Sequence, residues 1–505
     1  MKLNLSTYLP LLFLLALLVT ACKDDTFPAS PAEEEEAGSG VYVSVVVNTG
    51  GSNASRVPTP GEDDDLSKQS GTGDENMVHD LNVFFFQGEG INDLDNPNID
   101  CQLYFSGAEL QTSNDNVYHS VAKKVTDVLL LGETYHVLVI ANTGSRITGV
   151  NTLHTLRDYQ IEQPVTDNYT NFLMSSESDD KVTITPSTQN NPVPVKVDVE
   201  RMVARVDCAW EDKYEVTGDN MPSDGGNSSQ DKDKVTILGA ALVNRYVGNT
   251  YAFKRVTNGT DLSTVNYLGD ETRENGTTGN ASNYVLDPLT VPGKHNSHYT
   301  YYYMEYVNWD IENDFANPKN NVTSEQEGRT YYCLSYAREN INTTEQLSET
   351  EENERVGIQK YATGIMFKAQ YTPAGFSEGE TFYRYTSRNG NGSTLYTADA
   401  LMDAFPETFT EENQSAWGDI DGCDVFLNGC CYYVYWICHA DGENTNVISP
   451  MKYAIVRNNI YQLYVNRISQ LGTPEPDSNV EEINTEVHFQ VSEWDRINVE
   501  VPDFD

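Results

Sequence analysis

Short apolar runs that alternate with polar residues recur along the chain, and they predict β-strands rather than helices. The first is Val41–Val47 (VYVSVVV), a β-branched run that ends before Gly50 and Gly51. Further runs of this kind lie at 81–87, 134–141, 195–206, 430–438, 454–468, 487–491 and 497–501. Short helices are predicted at 150–162 and 398–409, and the highly charged segment 343–355 is either an exposed helix or a mobile loop. The pattern therefore predicts an all-β-dominated fold with a few short helices.

Polar stretches rich in Pro, Gly, Asn and acidic residues divide these runs. They lie at 23–40, at 190–194 (Asn-Asn-Pro-Val-Pro) and at 472–486. We predict two β-sandwich domains of a transthyretin-like or Greek-key type, with long loops and a C-terminal appendage. The predicted divisions are a signal peptide at 1–22, a tether and first strand at 23–56, an N-terminal sandwich at 57–192, a C-terminal sandwich at 193–471 and a linker with tail at 472–505.

The first residues read as a secretion signal. Lys2 precedes an apolar stretch, Leu9–Val19, which is too short for a stable membrane helix. It ends in Val19-Thr20-Ala21-Cys22, which resembles the bacterial lipobox, so we expect the Cys22 thiol to carry lipid such as palmitate. The alternative is an ordinary signal peptide with a chance cysteine. The following Lys23-Asp24-Asp25 resembles the export signal of surface lipoproteins in the Bacteroidetes.

The charge balance narrows the range of partners. Lys and Arg number 32 against 76 Asp and Glu, a formal net charge of −44. Nucleic acid and anionic headgroups both need a basic protein surface, so neither is an expected partner. Aromatic residues make up 10% of the chain, with 31 Tyr, which favours a folded protein over an acidic disordered one.

Residues for catalysis or metal binding do not form a recognisable pattern. The chain has no HExxH, G-x-S-x-G, P-loop or dinucleotide motif, so we assign no catalytic residues, no cofactor and no enzyme activity. Five potential zinc ligands cluster near the end of the chain: Cys423, Cys430, Cys431, Cys438 and His439. Their spacing fits no common zinc pattern, and 430–438 reads better as a buried strand, so no metal is predicted.

Several blocks together resemble a known family. They are Ile455–Tyr461 (IVRNNIY), Ile468–Gly472 (ISQLG), Val199–Arg205 (VERMVAR) and the last strands around Trp494. These blocks closely resemble the type V fimbrillins of the Bacteroidetes, most of all the major subunit of the short (minor) fimbriae. The segment 210–420 matches only loosely.

The resemblance implies a maturation mechanism. Such subunits reach the surface as precursors that a lipid anchors to the outer membrane, and an Arg-specific surface protease cuts them in the first loop. Here the cut would separate Arg56 from Val57, and Arg56 is the only Arg or Lys between Lys23 and Lys68. The cut would free a removable strand with core positions Val41, Val43, Val45 and Val47. The groove left behind would take a donor strand from a neighbouring subunit.

The tail has the residues expected of a donor strand. The candidates are Val487, Phe489, Val491, Trp494, Ile497, Val499 and Val501. In an extended chain the apolar residues of each run lie on one face. The alternative is that both terminal segments complete their own sheets in a monomeric lipoprotein.

The resemblance therefore implies a structural fimbrial subunit for adhesion and colonisation. Its partners would be other copies of itself and accessory fimbrial subunits in a head-to-tail filament. It would be lipid-anchored as a precursor and extracellular afterwards. One alternative is a tip or accessory subunit. The other is a non-polymerising surface lipoprotein that binds glycans through aromatics such as Trp417 or Tyr299, Tyr301, Tyr302, Tyr303 and Tyr306.

Overall fold

The structure of the protein is a computed structural model, which describes most of the segments with a strand-like pattern. It describes residues 40–49, 71, 73–114, 116–162, 169–216, 232–246, 248–257, 265–268, 284–288, 315, 317, 322–326, 328–340, 362–387, 393–437, 454–476 and 485–493. No helix in these ranges is both long and apolar enough to cross a membrane.

Short strands dominate the described residues, which confirms the predicted all-β fold class. The strands are β1 (Tyr42–Asn48), β2 (Asp80–Phe86), β3 (Ile99–Ser106), β4 (Leu110–Asn114), β5 (Val117–Ser120), β6 (Lys123–Lys124), β7 (Thr134–Ala141), β8 (Gln160–Ile161), β9 (Met174–Ser176), β10 (Asp180–Thr183), β11 (Val193–Arg201), β12 (Val203–Trp210), β13 (Tyr214–Glu215), β14 (Lys234–Val243), β15 (Thr250–Tyr251), β16 (Arg255–Thr257), β17 (Val265–Tyr267), β18 (Tyr284–Val285), β19 (Val322–Gln326), β20 (Arg329–Arg338), β21 (Gly364–Thr372), β22 (Phe382–Tyr385), β23 (Thr394–Tyr396), β24 (Cys423–Phe426), β25 (Cys430–Trp436), β26 (Asn459–Ile468) and β27 (Thr485–Glu493). The helices are α1 (Leu153–Arg157) and α2 (Ala398–Ala404), with 3-10 turns at Asp74–Asn76, Gly107–Glu109, Glu411–Asp419 and Leu427–Gly429.

The N-terminal strands form one strand path that folds into two layers. Its order is β3-β2-β7-β9-β11-β1-β5-β4, with β10 beside β7 and β6 beside β1. Strand β11 joins the layers, because its first part pairs with β1 and its last part with β9. Apolar side chains of both layers share one core, in which Val45 and Val47 lie with Leu81, Val83 and Val139. The core is therefore that of a sandwich.

The C-terminal strands form a second pair of layers. One sheet has the order β19-β20-β12-β26-β27 and the other β13-β14-β21-β25. Val206 and Leu463 of the first sheet share a core with Ile237, Phe367 and Tyr433 of the second. Three small sheets flank these layers: β15-β8, β17-β16-β18 and β23-β22-β24.

The junction between the two sandwiches differs from the prediction. The run 195–206 is not one strand, because Met202 separates β11 from β12. Strand β11 belongs to the N-terminal layers, whereas β12 pairs with β20 and β26. The change of sheet thus falls at Met202, after the predicted boundary at 193. The prolines 192 and 194 do not end the domain, since Pro192 directly precedes β11 and Pro194 lies within that strand.

Other predicted elements are shorter than expected. The helix predicted at 150–162 is α1, which begins after Thr152, whose Oγ1 accepts a hydrogen bond from the N–H of Thr155 (3.3 Å). The helix predicted at 398–409 ends at Ala404. The strand predicted at 454–468 begins only at Asn459. The strand predicted at 497–501 lies outside the described residues.

Candidate functional site: the first strand and its groove

Strand β1 lies inside its sheet, with neighbours on both sides. It runs parallel to β11, with Val43 opposite Val193 and Asn48 opposite Asp198. On its other side it runs antiparallel to β5 and β6. A strand from near the start of the chain thus fills a groove whose walls come from much later residues.

The core-facing positions of β1 are fully buried. Val43, Val45 and Val47 are each 0% exposed, whereas Ser44 and Asn48 on the opposite face are half-buried. Burial of three such side chains contributes roughly 5–9 kcal/mol before the cost of ordering the strand. The alternation predicted from the sequence therefore sets the inward face of β1, and these valines hold the strand in place.

Hydroxyl groups satisfy backbone groups of β1 where the neighbouring strands leave gaps. The N–H groups donate from Val41 to Thr126 Oγ1 (2.9 Å), from Tyr42 to Ser187 Oγ (2.8 Å) and from Val45 to Ser120 Oγ (2.9 Å). The hydrogen bond from the Val45 N–H lies at the gap between β5 and β6, where β1 has no strand beside it on that side. A buried N–H without a partner is costly, so these hydroxyls allow the groove to hold a complete strand despite the break.

The two ends of the groove carry opposite charge. At one end, the exposed Lys124 lies opposite Tyr42. At the other end, Asn48 Nδ2 donates to Asp198 Oδ1 (2.9 Å). Burial, with the nearby Asp198 carboxylate, raises the pKa of Asp180 to about 7. The groove is therefore basic near the start of β1 and acidic near its end.

A buried ionic cluster holds residues 75–76, which come after β1 in the chain. The Arg205 guanidinium on β12 lies 3.0 Å from the Glu75 carboxylate, and both side chains are almost fully buried. The Tyr336 hydroxyl on β20 donates to the same carboxylate (2.7 Å). Arg201 Nε donates to the backbone oxygen of Glu75 (2.8 Å), and Arg201 also contacts Asn76. Side chains from the end of β11 and from β12 and β20 thus anchor residues 75–76.

Sequence reasoning did not find this cluster. The available signal was the presence of two arginines, Arg201 and Arg205, in a run that alternates apolar and polar residues. Arg205 is neutralised by two carboxylates, since its Nε also donates to Asp207 Oδ1 (2.9 Å). Glu75 is 130 residues away from Arg205 in the chain, so no local pattern could pair them.

The predicted donor residues are divided between described and undescribed parts of the chain. Val487, Phe489 and Val491 lie in β27, which pairs antiparallel with β26 at the edge of its own sheet. The register places them opposite Val465, Leu463 and Tyr461, in that order. Cys22, Arg56, Val57, Trp494, Ile497, Val499 and Val501 lie outside the described residues. In the single chain, β1 and β27 therefore both complete its own sheets, as the monomeric alternative required.

Other candidate chemistry finds little support in the described part of the chain. No group of three or more metal-ligating side chains occurs there. Trp417, considered above for sugar stacking, is 0% exposed and packs edge-on against Tyr383 (4.8 Å) and Phe409 (5.2 Å). That suggestion was wrong for Trp417, because its ring is enclosed in a small core. The tyrosines between 299 and 306 lie outside the described residues.

A comparison with models of protein families finds a match near the end of the chain. Residues 424–500, which include β25 to β27 and most of β24, match the family described as "Major fimbrial subunit protein type IV, Fimbrillin, C-terminal". The C-terminal region is that of a fimbrillin. The resemblance to fimbrillins is thereby confirmed over these residues. The narrower resemblance, to type V fimbrillins and the short fimbriae, stays a prediction. No curated protein matches the chain.

Solved structures similar to this chain include fimbrial proteins of Porphyromonas gingivalis. A fimbrillin of that organism is 14% identical, covers 92% of this chain and 100% of its own, and has a TM-score of 0.39. The C-terminally truncated tip fimbrial protein is 13% identical, covers 90% of this chain and 99% of its own, and has a TM-score of 0.35. The assignment to fimbrillins rests on the family match at 424–500 and not on these likenesses.

Proposed function

We propose that this fimbrillin is the precursor of a polymerising fimbrial subunit for adhesion. A protease that cuts after Arg56 would remove β1, and a strand of a neighbouring subunit would then replace it. The observation that carries the proposal is the position of β1. It is a buried internal strand whose core-facing valines are inaccessible, yet it comes at the very start of the sheet in sequence order.

The connections of β1 make its release feasible. Its partner strands are β5, β6 and β11, so no tight hairpin joins β1 to a neighbour. After a cut at Arg56, only non-covalent contacts would hold β1 in the body of the protein. The groove would then offer two strand edges and an apolar floor, which are the features that recruit an added strand.

The ionic cluster around Glu75, which lies after the proposed cut in the sequence, supports the same proposal. Residues 57–74 would form the new N-terminus, and the next residues, Glu75 and Asn76, are clamped by Arg201 and Arg205. This clamp would hold the mature subunit together while residues 22–56 leave with the lipid anchor. Strand loss would therefore be confined to β1.

The assembly would be a head-to-tail filament. A tail that enters the groove of the next copy makes a heterologous contact, and such contacts do not close on themselves. The precursor would be anchored to the outer membrane through Cys22, and the product would be an extracellular fimbrium. Its partners would be other copies of itself, accessory fimbrial subunits and the Arg-specific surface protease.

An Arg-specific protease and two variants test the proposal. We expect the treated wild-type protein to begin at Val57 by N-terminal sequencing and to form ladders that resist unheated SDS. Arg56→Ala should stay full-length and monomeric. Arg146→Ala, which removes an exposed arginine elsewhere in the chain, serves as the matched control and should behave like wild type. Ladders formed by Arg56→Ala, or a wild-type protein that is cut at Arg56 and stays monomeric, would contradict the proposal.

A further inference from the structure

The junction between the two sandwiches encloses a carboxyl group, that of Glu200, which is 0% exposed. We propose that Glu200 carries a proton at neutral pH, and that the loss of this proton loosens the junction between the sandwiches. The junction is then firmer in acid and weaker in base. The argument depends on the burial of Glu200, on the described groups around it and on their charges.

A segment that follows β14 packs against the N-terminal sandwich and forms much of this junction. We name this segment the clasp, and its described residues are 250–257 and 265–268. Strand β15 in the clasp pairs with β8, and the Ala252 N–H donates to the Tyr159 oxygen (2.9 Å). Phe253 shares an apolar core with Phe84 of β2. The clasp therefore joins the sandwiches through a strand pair and a core.

Glu200 on β11 lies against the clasp without a hydrogen bond. The Lys254 Nζ of the clasp is 3.8 Å from Glu200 Oε2, which is too long for a hydrogen bond. Within the described residues, neither carboxylate oxygen of Glu200 has a hydrogen-bond partner. The buried hydroxyl of Ser175, opposite Glu200 in the ladder, has none there either. An ionised carboxylate at this position thus lacks the donors that make a buried charge tolerable.

Carboxyl groups outnumber cations around Glu200. The charged groups that face Glu200 are all buried and come from four elements: Lys254 in the clasp, Arg457 before β26, Glu177 after β9 and Glu339 after β20. A further buried acid, Asp287, lies near Tyr251 of the clasp and adds to the excess. One proton on a carboxyl group therefore brings the charges closer to balance.

Hydrogen bonds determine which carboxyl group keeps its charge. Arg457 Nε donates to Glu339 Oε1 (3.0 Å), which stabilises Glu339 as a carboxylate. The same guanidinium holds the clasp, since it donates to the oxygens of Ala252 (3.1 Å) and Tyr251 (2.9 Å). Glu200 receives no such donor, and burial raises its pKa to about 7 despite the nearby cations. The proton is therefore assigned to Glu200.

The ionic cluster around Glu75 provides a contrast at the same junction. There Arg201 and Arg205 face two carboxylates, Glu75 and Asp207, so the charges balance. Successive side chains of a strand point to opposite faces, so Glu200 and Arg201 reach different clusters from neighbouring positions of β11. The cluster around Glu75 needs no proton, whereas the one around Glu200 does.

The direction of the pH effect follows from the raised pKa of Glu200. If the clasp opens, Glu200 reaches water and ionises at its ordinary pKa, which is lower. Opening therefore becomes easier as the pH rises from that ordinary pKa toward about 7, and the effect is complete above it. Between about pH 6 and pH 8.5 the equilibrium constant for opening should rise about tenfold.

Hydrogen exchange of clasp amides in the full chain tests this proposal. After correction for the intrinsic pH dependence of exchange, the amides of Ala252 and Leu268 should lose about tenfold in protection from about pH 6 to pH 8.5. Glu200→Gln, which mimics the protonated carboxyl, should match wild type at the lower pH and keep its protection at the higher. A loss of protection at both pH values would show that Glu200 is an ionised partner of Lys254 and overturn the proposal. A wild-type pH dependence in Glu200→Gln would overturn it too.

Two variants serve as matched controls. Glu339→Gln removes the carboxylate bonded to Arg457 and should lower clasp protection at both pH values. Asp180→Asn removes a carboxyl group of raised pKa in the N-terminal sandwich and should leave the pH dependence of the clasp unchanged. Loss of that dependence in Asp180→Asn would refute the assignment to Glu200.

A measurement on the wild-type chain keeps the proposal testable if Glu200→Gln does not fold. Carbon-13 NMR of protein labelled at the glutamate carboxyl carbons should show one carboxyl group that titrates near pH 7. Titration of every glutamate below about pH 6 would overturn the proposal.

Discussion

The first and last described strands of this protein differ in their surroundings. Strand β1 has neighbours on both sides and three valines in the core of its sandwich. Strand β27 lies at the edge of its sheet and pairs only with β26 within the described residues. Loss of β27 would expose one strand edge. Loss of β1 would open two edges and an apolar floor.

The difference indicates which end of the chain is suited to be acceptor and which to be donor. An acceptor groove is selective when a strand is missing from the interior of a sheet, since both walls and the floor must be matched. A donor must be near a chain end, so that it can leave the body of its own subunit. The following predictions test this contrast, from the largest expected effect to the smallest.

A charge in the middle of β1 should have the largest effect. Val45→Asp places a carboxylate in the core and should lower the free energy of unfolding of the precursor by more than about 4 kcal/mol, because an unpaired buried charge is among the most destabilising changes. Ser44→Asp, on the half-buried face, is the control and should cost less than about 1 kcal/mol. Urea denaturation measures both. Equal losses would mean that the face assignment of β1 is wrong.

The second largest effect is expected at the ionic cluster that anchors residues 75–76. Glu75→Gln removes one of the two carboxylates that face Arg205 and should cost about 3 kcal/mol, since Asp207 alone does not compensate the two buried guanidinium groups, Arg201 and Arg205. Asp74→Asn changes an exposed neighbour and is the matched control. Thermal or urea unfolding measures the loss. Because the anchor lies after the cut, Glu75→Gln should weaken the protein before and after cleavage, whereas Val45→Asp should act only before it.

A smaller effect is expected at the acidic end of the groove. The raised pKa of Asp180, about 7, means that its ionised form is disfavoured in the folded state. The resulting destabilisation is present above about pH 7 and is relieved as the pH falls below that value. Asp180→Asn should therefore stabilise the precursor at pH 8 by about 1–2 kcal/mol, given its partial exposure, and change nothing near pH 4.

Urea midpoints across this pH range provide the measurement for Asp180→Asn. Asp127→Asn, which alters an exposed aspartate of the same sandwich, is the control. A stabilisation that is independent of pH would show that the effect does not come from titration of Asp180.

The smallest effect concerns backbone protection and needs no substitution. An edge strand has alternate N–H groups that face away from its single partner. Every second amide of β27 should therefore exchange with solvent rapidly in the precursor, whereas the amides of β1 should be protected. Hydrogen exchange resolved by residue measures this. Uniform protection along β27 would indicate a second partner for that strand.

Local patterns predicted the strands well where β-branched and other apolar residues dominate a short run. The run at 134–141 coincides with β7, and the run at 41–47 differs from β1 by one residue at each end. Patterns failed where the end of a strand depends on partner strands that are distant in the sequence. Met202 separates β11 from β12 because the two strands pair in different sandwiches, and alternation along one segment carries no record of that.

The sequence by itself determined the strand-rich class, the inward valines of β1 and the match of the C-terminal region to fimbrillins. These depend on residue type and on a period of two, which are local properties. Only the tertiary structure decided that β1 is internal and parallel to β11, that the groove has oppositely charged ends, and that Arg205 pairs with Glu75. Each of these joins residues far apart in the chain, where packing and the cost of burying charge select the partners.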